Sequence, residues 1–442
     1  MTPRMKNPAR LFALLSLFCL LLPPRIQAGA LGADVNADVD AFGHSQMDSG
    51  GLRTFAAKNT LYALPLFNQP DNDHARYWDN MVEQYQSAQI DFIAVWLKGN
   101  NQPATFGHCV TAGVRRGLTD RLKIMPFDDN PASWTALWNF DHGNGCNYKV
   151  PSDVSKEENW AYVWDKNLEV FFQNVPDANR YKIQGRPVYT TWNTDTWHGV
   201  TLGTCIPQFH ISANADPNSP TWLVDPQHGK VLSDGLLGTA GNAQCLSTFI
   251  EGFDDYWENT TLWRARNLDE NGHALGYAQT YYDYPNQRIN LVRRLSSHPF
   301  PADLKEKAEG CDDFSGAAAL RTRPSYYRNG PIAIEDTTDT CGGYDVRASR
   351  VEETLRWLEV PIQDKVHLRV HVATTSPGRE LHFVLDGIKH PTITLPNTGG
   401  SQIWATVDIE AYTFAPQSCH TVSLVSNISG VNVNWWQAGT GK

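Results

Sequence analysis

Several absences narrow this chain before any motif is read. Charged residues fill only 19% of 442 positions, and Lys and Arg gather into no basic stripe. Nucleic-acid phosphates demand clustered cations, so that partner is excluded, and an anionic membrane surface is disfavoured for the same reason. No glycine-rich dinucleotide fingerprint and no P-loop occurs, and no H-E-x-x-H spacing is found among 14 histidines. Nucleotide cofactors and a zinc hydrolase are thereby disfavoured, and the lack of a G-x-S-x-G elbow weakens a serine esterase. No window is low in complexity, which rules out disorder and fibrous repeats. No cysteine pair has C-x-x-C spacing, so thiol metal sites and redox pairs drop out.

What is abundant is tryptophan, with 15 in the chain. Ring-rich clefts grip sugars by stacking, so this count points towards carbohydrate.

The first thirty residues read as a secretory signal peptide. Arg4, Lys6 and Arg10 precede the apolar run Leu11 to Leu22, and Ala28-Gly29-Ala30 offers a cleavage site. The run is too short to span a membrane stably, and no later segment is apolar enough. A secreted or periplasmic protein is expected. Cleavage would remove four of the 37 basic residues and none of the 47 acidic ones, taking the net charge from −10 to −14. In an oxidising compartment the seven remaining cysteines default to disulfides. Cys109–Cys146 and Cys205–Cys245 are plausible local staples, and Cys341–Cys419 would join two ends of a C-terminal domain. One thiol is left over.

From about residue 60, short apolar runs alternate with helical stretches. Leu61–Phe67 precedes an amphipathic stretch from Ala75 to Ala88, with Tyr77, Trp78, Met81 and Tyr85 on one side. Asp91–Leu97, Leu122–Phe127, Pro187–Trp192, Gln208–Ser212, Trp222–Val224, Ser247–Glu251 and Tyr277–Tyr281 are further strand candidates. Such repetition predicts parallel strands with right-handed crossovers. About eight strands fit a (β/α)8 TIM-type barrel over residues 31–325. Beyond residue 330 the texture changes to short alternating strands: Lys365–Val372, Leu381–Leu385, Trp404–Ile409, Thr421–Val425 and Val431–Trp435. These predict an all-β jelly-roll sandwich over 330–442, after a linker at Arg321–Asn329.

In a parallel barrel the chemistry lies where strands end. Trp96 ends one run, Asp128-Asp129 the next, and Trp192 another. Ser247–Ile250 ends in Glu251, and Asp254, Asp255, Trp257 and Glu258 follow. Carboxylates and indoles at successive strand ends are what glycosidic bond cleavage uses: one acid protonates the leaving oxygen, another stabilises or attacks the anomeric carbon, and rings hold the sugar. Blander readings stand beside this one. Asp128-Asp129 would serve as a turn, Asp254 and Asp255 as the first turn of a helix, and Trp96 and Trp192 as core.

The stretches Ser247–Glu251 and Trp257–Thr261 resemble the strand-end signature of family 99 and family 71 glycoside hydrolases, which are (β/α)8 enzymes. They also resemble a group of secreted barrels sharing E-G-x-x-D-x-x-E-N-T-T. The resemblance implies Glu258 as general acid/base and Glu251 as the assisting carboxylate, with Asp255 and Asp128 orienting hydroxyls or water. Trp96, Asp129, Trp192, Asp254 and Trp257 would bind substrate. The family spaces its acids three apart, whereas Glu251 and Glu258 are seven apart, implying an insertion; Asp255 with Glu258 keeps the spacing instead.

Farther on, Pro331–Val346, Trp357–Val360, Thr394–Val407 and Val431–Trp436 resemble family 6 and family 35 carbohydrate-binding modules. That resemblance places Trp404 at the cleft tryptophan and Asn432 near the cleft asparagine, with Asn434 on the same strand. A second aromatic wall is missing at Ala348 and Ser349, and Tyr344 is the substitute on offer. Glu335 would belong to a structural calcium site; no cofactor is expected for catalysis. The expectation is therefore a monomeric secreted glycoside hydrolase acting on a poly- or oligosaccharide. A non-catalytic glycan-binding protein is one alternative, and a carbohydrate esterase or lyase is another. The negative charge opposes an anionic substrate.

Overall fold

The computed structural model describes residues 30–35, 64–65, 74–97, 110–114, 122–129, 143, 156–192, 201–207, 209–211, 222–224, 227–242, 244–255, 260–262, 264–266, 282–295, 303–315, 332–339, 343–348, 352–414 and 418–439. In the N-terminal part, six strands are β1 (Leu31–Val35), β2 (Phe92–Leu97), β3 (Lys123–Asp129), β4 (Thr190–Trp192), β5 (Thr201–Cys205) and β6 (Cys245–Ile250). They form one sheet in the order β4-β3-β2-β1-β6-β5, and every pairing in it is parallel.

Parallel strands are buried on both faces, which explains why FIAVWL and KIMPF read as unbroken apolar runs. On one face, Ala33, Ile93, Val95, Ile124 and Ile250 pack against helix α1 (His74–Ser87) and helix α2 (Lys230–Ala240). Trp78, Met81 and Tyr85 of α1 are buried there, as their spacing predicts. The other face holds a smaller cluster of Phe92, Ala94, Met125, Phe127, Tyr181 and Phe249. It is tight: a Cβ on Gly32 would lie 1.9 Å from the Phe92 ring, so only glycine fits beside it.

The described strands are an open six-stranded sheet rather than a closed ring of eight. Two expected barrel strands, 209–211 and 222–224, instead pair antiparallel with each other. Leu64–Pro65 pairs antiparallel with Ala265–Arg266, and Tyr277–Tyr281 lies outside the described residues. β1 sits at the centre of the sheet although the apolar pattern was expected to begin near residue 60, and β5 was not expected at all. Both are short and glycine-containing, so they carry little apolar signal.

The C-terminal part is an all-β sandwich. Its strands are β7 (Asp303–Lys307), β8 (Asp313–Ser315), β9 (Ile334–Asp336), β10 (Tyr344–Ala348), β11 (Glu353–Pro361), β12 (Lys365–Thr374), β13 (Glu380–Leu385), β14 (Trp404–Thr413), β15 (Cys419–Ser426) and β16 (Val431–Gly439). One sheet runs β9-β10-β16-β12-β14, with β7 also on β16; the other runs β8-β11-β15-β13. Val366, Leu368, Val370 and Val372 of β12 face the core, and His367, Arg369 and His371 face outward. Trp436 fills the centre, edge-on to Trp357 at 5.6 Å. β7 and β8 precede the expected boundary at residue 330, yet each pairs with a sandwich strand.

Buried ions join the two parts. Glu306 of β7 meets Arg293 of helix α3 (Gln287–Leu295) and lies 3.8 Å from Arg264, which in turn binds Glu83 of α1. Asp312 accepts from the Asn286 amide at 2.8 Å and from the Leu358 backbone at 2.8 Å. Its burial pushes its carboxyl up to about 7. Such groups are tolerated inside only because each is matched.

The expected Cys205–Cys245 disulfide is ruled out by register. Cys205 pairs with Ile250 and Cys245 with Thr201, so the two thiols lie at opposite ends of adjacent strands, roughly 15 Å apart at about 3.3 Å per residue. Neither is in a disulfide, and neither is Cys419. Cys109, Cys146 and Cys341 lie outside the described residues. Among the described residues no helix is long and apolar enough to cross a membrane; residues 1–29 are not among them.

Candidate functional site

The outward face of the first sandwich sheet carries a ladder of rings. Trp404 of β14 stacks on His371 of β12 at 5.6 Å and 15°, and His371 stacks on Trp435 of β16 at 4.8 Å and 6°. The Lys305 ammonium of β7 lies 4.2 Å from the centre of the Trp435 ring. The register places these rungs side by side, since His371 pairs with Trp435 and Ala373 with Trp404.

A flat ring has two faces, and this decides what the ladder offers a ligand. His371 is covered on both sides. Trp435 is covered by His371 from β12 and by Lys305 from β7, which flank β16 on opposite sides. Among the described residues the one ring stacked on Trp404 is His371, and Trp404 is half-exposed. It is therefore the platform. The indole N–H groups of Trp404 and Trp435 have no acceptor among the described residues.

His371 is held as a spacer between the two indoles. Its Nδ1 pairs with the Thr406 hydroxyl at 2.9 Å, and its Nε2 lies 3.3 Å from Asp339, too poorly aligned for a hydrogen bond. Burial lowers its pKa, partly opposed by the Asp339 charge.

Next to Trp404, across buried Ala373, stands Asn432. Its amide donates to Glu335 at 2.6 Å and Asp345 at 2.8 Å. Gln402 donates to the same two carboxyls at 3.1 and 3.0 Å. Glu335 and Asp345 are directly opposed on β9 and β10, an arrangement that disfavours two charges. Burial first, and Glu335 among the other causes, pushes Asp345 up to about 8, so this carboxyl is protonated at neutral pH.

This chemistry does not fit the calcium site expected around Glu335. A calcium ion needs several converging oxygen ligands, whereas here the amide N–H groups of Gln402 and Asn432 point at the two carboxyls. Among the described residues no group of three or more His, Cys, Asp or Glu is arranged to hold a metal. Nearby, the ammonium of Lys307 is buried against Asn434 Oδ1 and lies 3.8 Å from Glu309.

Asn434 is the extra residue of a bulge in β16 and donates to Asp339 at 2.6 Å, so it is structural rather than ligand-facing. Tyr344 does not supply the missing wall. It alternates with Asp345, shares the inward side with Val346, and is buried. Sequence reasoning singled out Trp404 and Asn432, which the register brings to either side of Ala373, and did not single out His371, Trp435, Lys305 and Gln402. The alternation in KVHLRVHV already put His371 on the outer face; only the sheet order could put rings on both sides of it.

At the other end of the molecule, the sheet brings several expected residues to one edge. Leu97 pairs with Asp128, Asp128 with Thr191, and Asp129 with Trp192, so Trp96, Asp128, Asp129 and Trp192 end adjacent strands. Glu251 follows β6 at the same edge and is half-buried; its N–H donates to Cys205 O at 2.9 Å. Burial and the Glu251 charge push the Cys205 thiol up to about 12. Between Glu251 and Asp128 lie β1 and β2, a spacing of roughly 14 Å along the sheet at about 4.8 Å per strand.

Asp254-Asp255 is not a helical turn. It pairs antiparallel with Thr260-Thr261, which makes the insertion between Glu251 and Glu258 a small hairpin. Phe253, stacked on Tyr85 at 4.1 Å, anchors its base. Trp257 and Glu258 fall between the paired residues and lie outside the described residues. The register also sets Asp34 of β1 next to Glu251, because Ala33 pairs with Ile250; this acid escaped sequence reasoning.

Comparison with known proteins covers both parts. Residues 328–438 match the model of the family 35 carbohydrate-binding module. Among solved structures, a carbohydrate-binding module from Cellvibrio mixtus lichenase 5A, in complex with cellotriose, is 26% identical over 31% of this chain and 97% of its own, with TM-score 0.26. A β-1,3-glucan-binding module from Bacillus halodurans is 24% identical over 30% and 94%, with TM-score 0.25. A family 35 module from Clostridium thermocellum is 13% identical over 31% and 98%, also at 0.25. No curated protein matches the chain. The N-terminal part matches one family model over residues 36–198 and again over 190–313. Those stretches together take in more than half of the chain, so the protein belongs to the family described as Domain of unknown function (DUF5010).

Proposed function

We propose that this protein is a glycan-directed glycoside hydrolase, exported from the cell, whose sandwich holds the polysaccharide on Trp404 while its N-terminal part cleaves glycosidic bonds. The observation that carries the glycan reading is the ladder: three stacked rings end in a half-exposed indole beside a polar trough. A sugar ring stacks its C–H face on such an indole, and its hydroxyls reach the groups around Asn432. Gln402 now bonds the same two carboxyls that a pair of hydroxyls would engage, so ligand entry displaces it.

The hydrolytic reading draws support from the gathering of Asp128, Asp129 and Glu251 at the carboxyl edge of a parallel sheet. The pairing of β1 with both β2 and β6, the first strand with its successor and with the last long one, is the neighbour order of a barrel rather than of a doubly wound sheet. On this reading Glu258 acts as general acid/base and Glu251 as the assisting carboxylate.

Purified protein incubated with α- and β-linked polysaccharides should release reducing ends. Glu251→Gln should slow that release by roughly two orders of magnitude or more while leaving retention on a polysaccharide gel intact. Retention with no new reducing ends on any polymer would make the protein a glycan binder only.

A further inference from the structure

Apart from the ladder and the sheet edge, a polar cavity of about 220 Å³ lies where the two parts meet. His228, Asp283, Tyr284, Asn290 and Arg294 line it from the N-terminal part, and Glu359 lines it from the sandwich. Three features mark it as built. Gln227, His228 and Gly229 are consecutive left-handed residues, at φ 48, 56 and 83, an arrangement that non-glycine residues resist. Glu359 on the opposite wall is left-handed as well, at φ 47. It sits where the pairing of β11 with β15 slips between Trp357 and Val360, and such bulges re-aim a side chain. Strained residues from two separate parts thus converge on one cavity, the pattern of ligand sites.

The polar groups are pre-oriented. His228 Nδ1 pairs with Asp283 Oδ1 at 2.7 Å, and Asp283 Oδ2 accepts from Gln287. The Tyr284 hydroxyl donates to Glu359 Oε2 at 3.1 Å. Asn290 holds the bulge by donating to Leu358 O at 2.8 Å. Carboxylates on two walls disfavour an anionic ligand, and Arg294 disfavours a cationic one. Fixed acceptors, fixed donors and one phenol ring suit a neutral polyhydroxylated ring. The volume is below the roughly 300 Å³ at which pockets for drug-sized ligands begin, which limits the guest to a single unit.

We infer that this junction is a second carbohydrate site, taking one neutral hexose unit between Tyr284, Glu359 and Arg294. The inference rests on the glycan reading above but uses none of the ladder residues. It is tested by saturation-transfer NMR on the full-length chain, with glucose, galactose, mannose and xylose as probes and a series of oligosaccharides beside them. Monosaccharide binding should survive Trp404→Ala and fall at least tenfold when Glu359→Gln and Arg294→Met are combined; oligosaccharide binding should show the reverse. If the double variant does not fold, Tyr284→Phe reads the same cavity by deleting one hydroxyl. Monosaccharide binding that follows Trp404, or that ignores the junction variants, overturns the site. So does its absence in a protein that still binds oligosaccharide through Trp404. A chain that binds neither kind of sugar overturns the glycan reading along with it.

Discussion

The two large sheets solve opposite problems, and their functional residues differ in consequence. The parallel sheet buries side chains on both faces, against α1 and α2 on one side and in the Phe92–Phe249 cluster on the other. Nothing reactive fits along its strands, so polar residues collect at the ends: Asp128, Asp129 and Glu251. The first sandwich sheet buries one face only. On its other face Trp404, His371 and Trp435 stand in mid-sheet on three neighbouring strands. The lesson is positional. In a sheet buried on both faces a site is found by asking where apolar runs stop; in a half-buried sheet it is found by asking which residues share the outward parity.

The sharpest way to break that comparison uses two adjacent tryptophans of opposite parity. Trp436→Ala, on the inward side, should destabilise the sandwich by about 3–5 kcal/mol in urea denaturation, whereas Trp435→Ala should cost less than half as much and disorder the ladder. Equal losses would erase the distinction between the faces.

The paired acids of the outward face come next. Asp345 holds a proton in the folded state up to about pH 8 and would release it near 3.8 when unfolded. The folded state therefore binds more protons in between. Its stabilising contribution is complete below about pH 4 and is lost as the pH rises towards 8. Asp345→Asn should flatten this decline and leave the protein more stable at pH 8 by on the order of 2–5 kcal/mol. Parallel stability–pH curves for the two proteins would exclude the shared proton.

A smaller effect separates binding from folding. Trp404→Ala should reduce glycan affinity tenfold or more, about 1.4 kcal/mol, with little change in melting temperature. Calorimetry and thermal denaturation on one preparation decide it; unchanged affinity would show that the Trp404 indole is not the platform. Smallest of all is the effect of reductant on the parallel sheet. Peptide mapping without reduction should find no Cys205–Cys245 link, and finding one would refute the strand register.

Much of this was legible in the sequence because local pattern carries it. Period-two alternation announced β12, β13, β15 and β16, and continuous apolar runs announced β2, β3 and β6. Trp404 and Asn432 were placed by the strings around them. What escaped has a common cause. β1, β5 and β7 are short strands, two with glycine and one with alternating charge, whose burial comes from neighbours distant in sequence. The junction cavity escaped as well, since His228 and Glu359 are 131 positions apart and each is an unremarkable polar residue alone.

By itself the order of residues determined where chains of apolar contact would begin and end, that one half would alternate helix with strand, and that the other would be all strand. Those follow from side-chain periodicity, which is a local property. Tertiary structure alone decided that His371 lies between two indoles, that half-exposed Trp404 ends the ladder, that Glu306 meets two arginines of the other part, and that Cys205 and Cys245 sit at opposite ends of neighbouring strands. Each of these is a matter of which strands become neighbours and in what register, and that is fixed by packing free energy summed over the whole molecule.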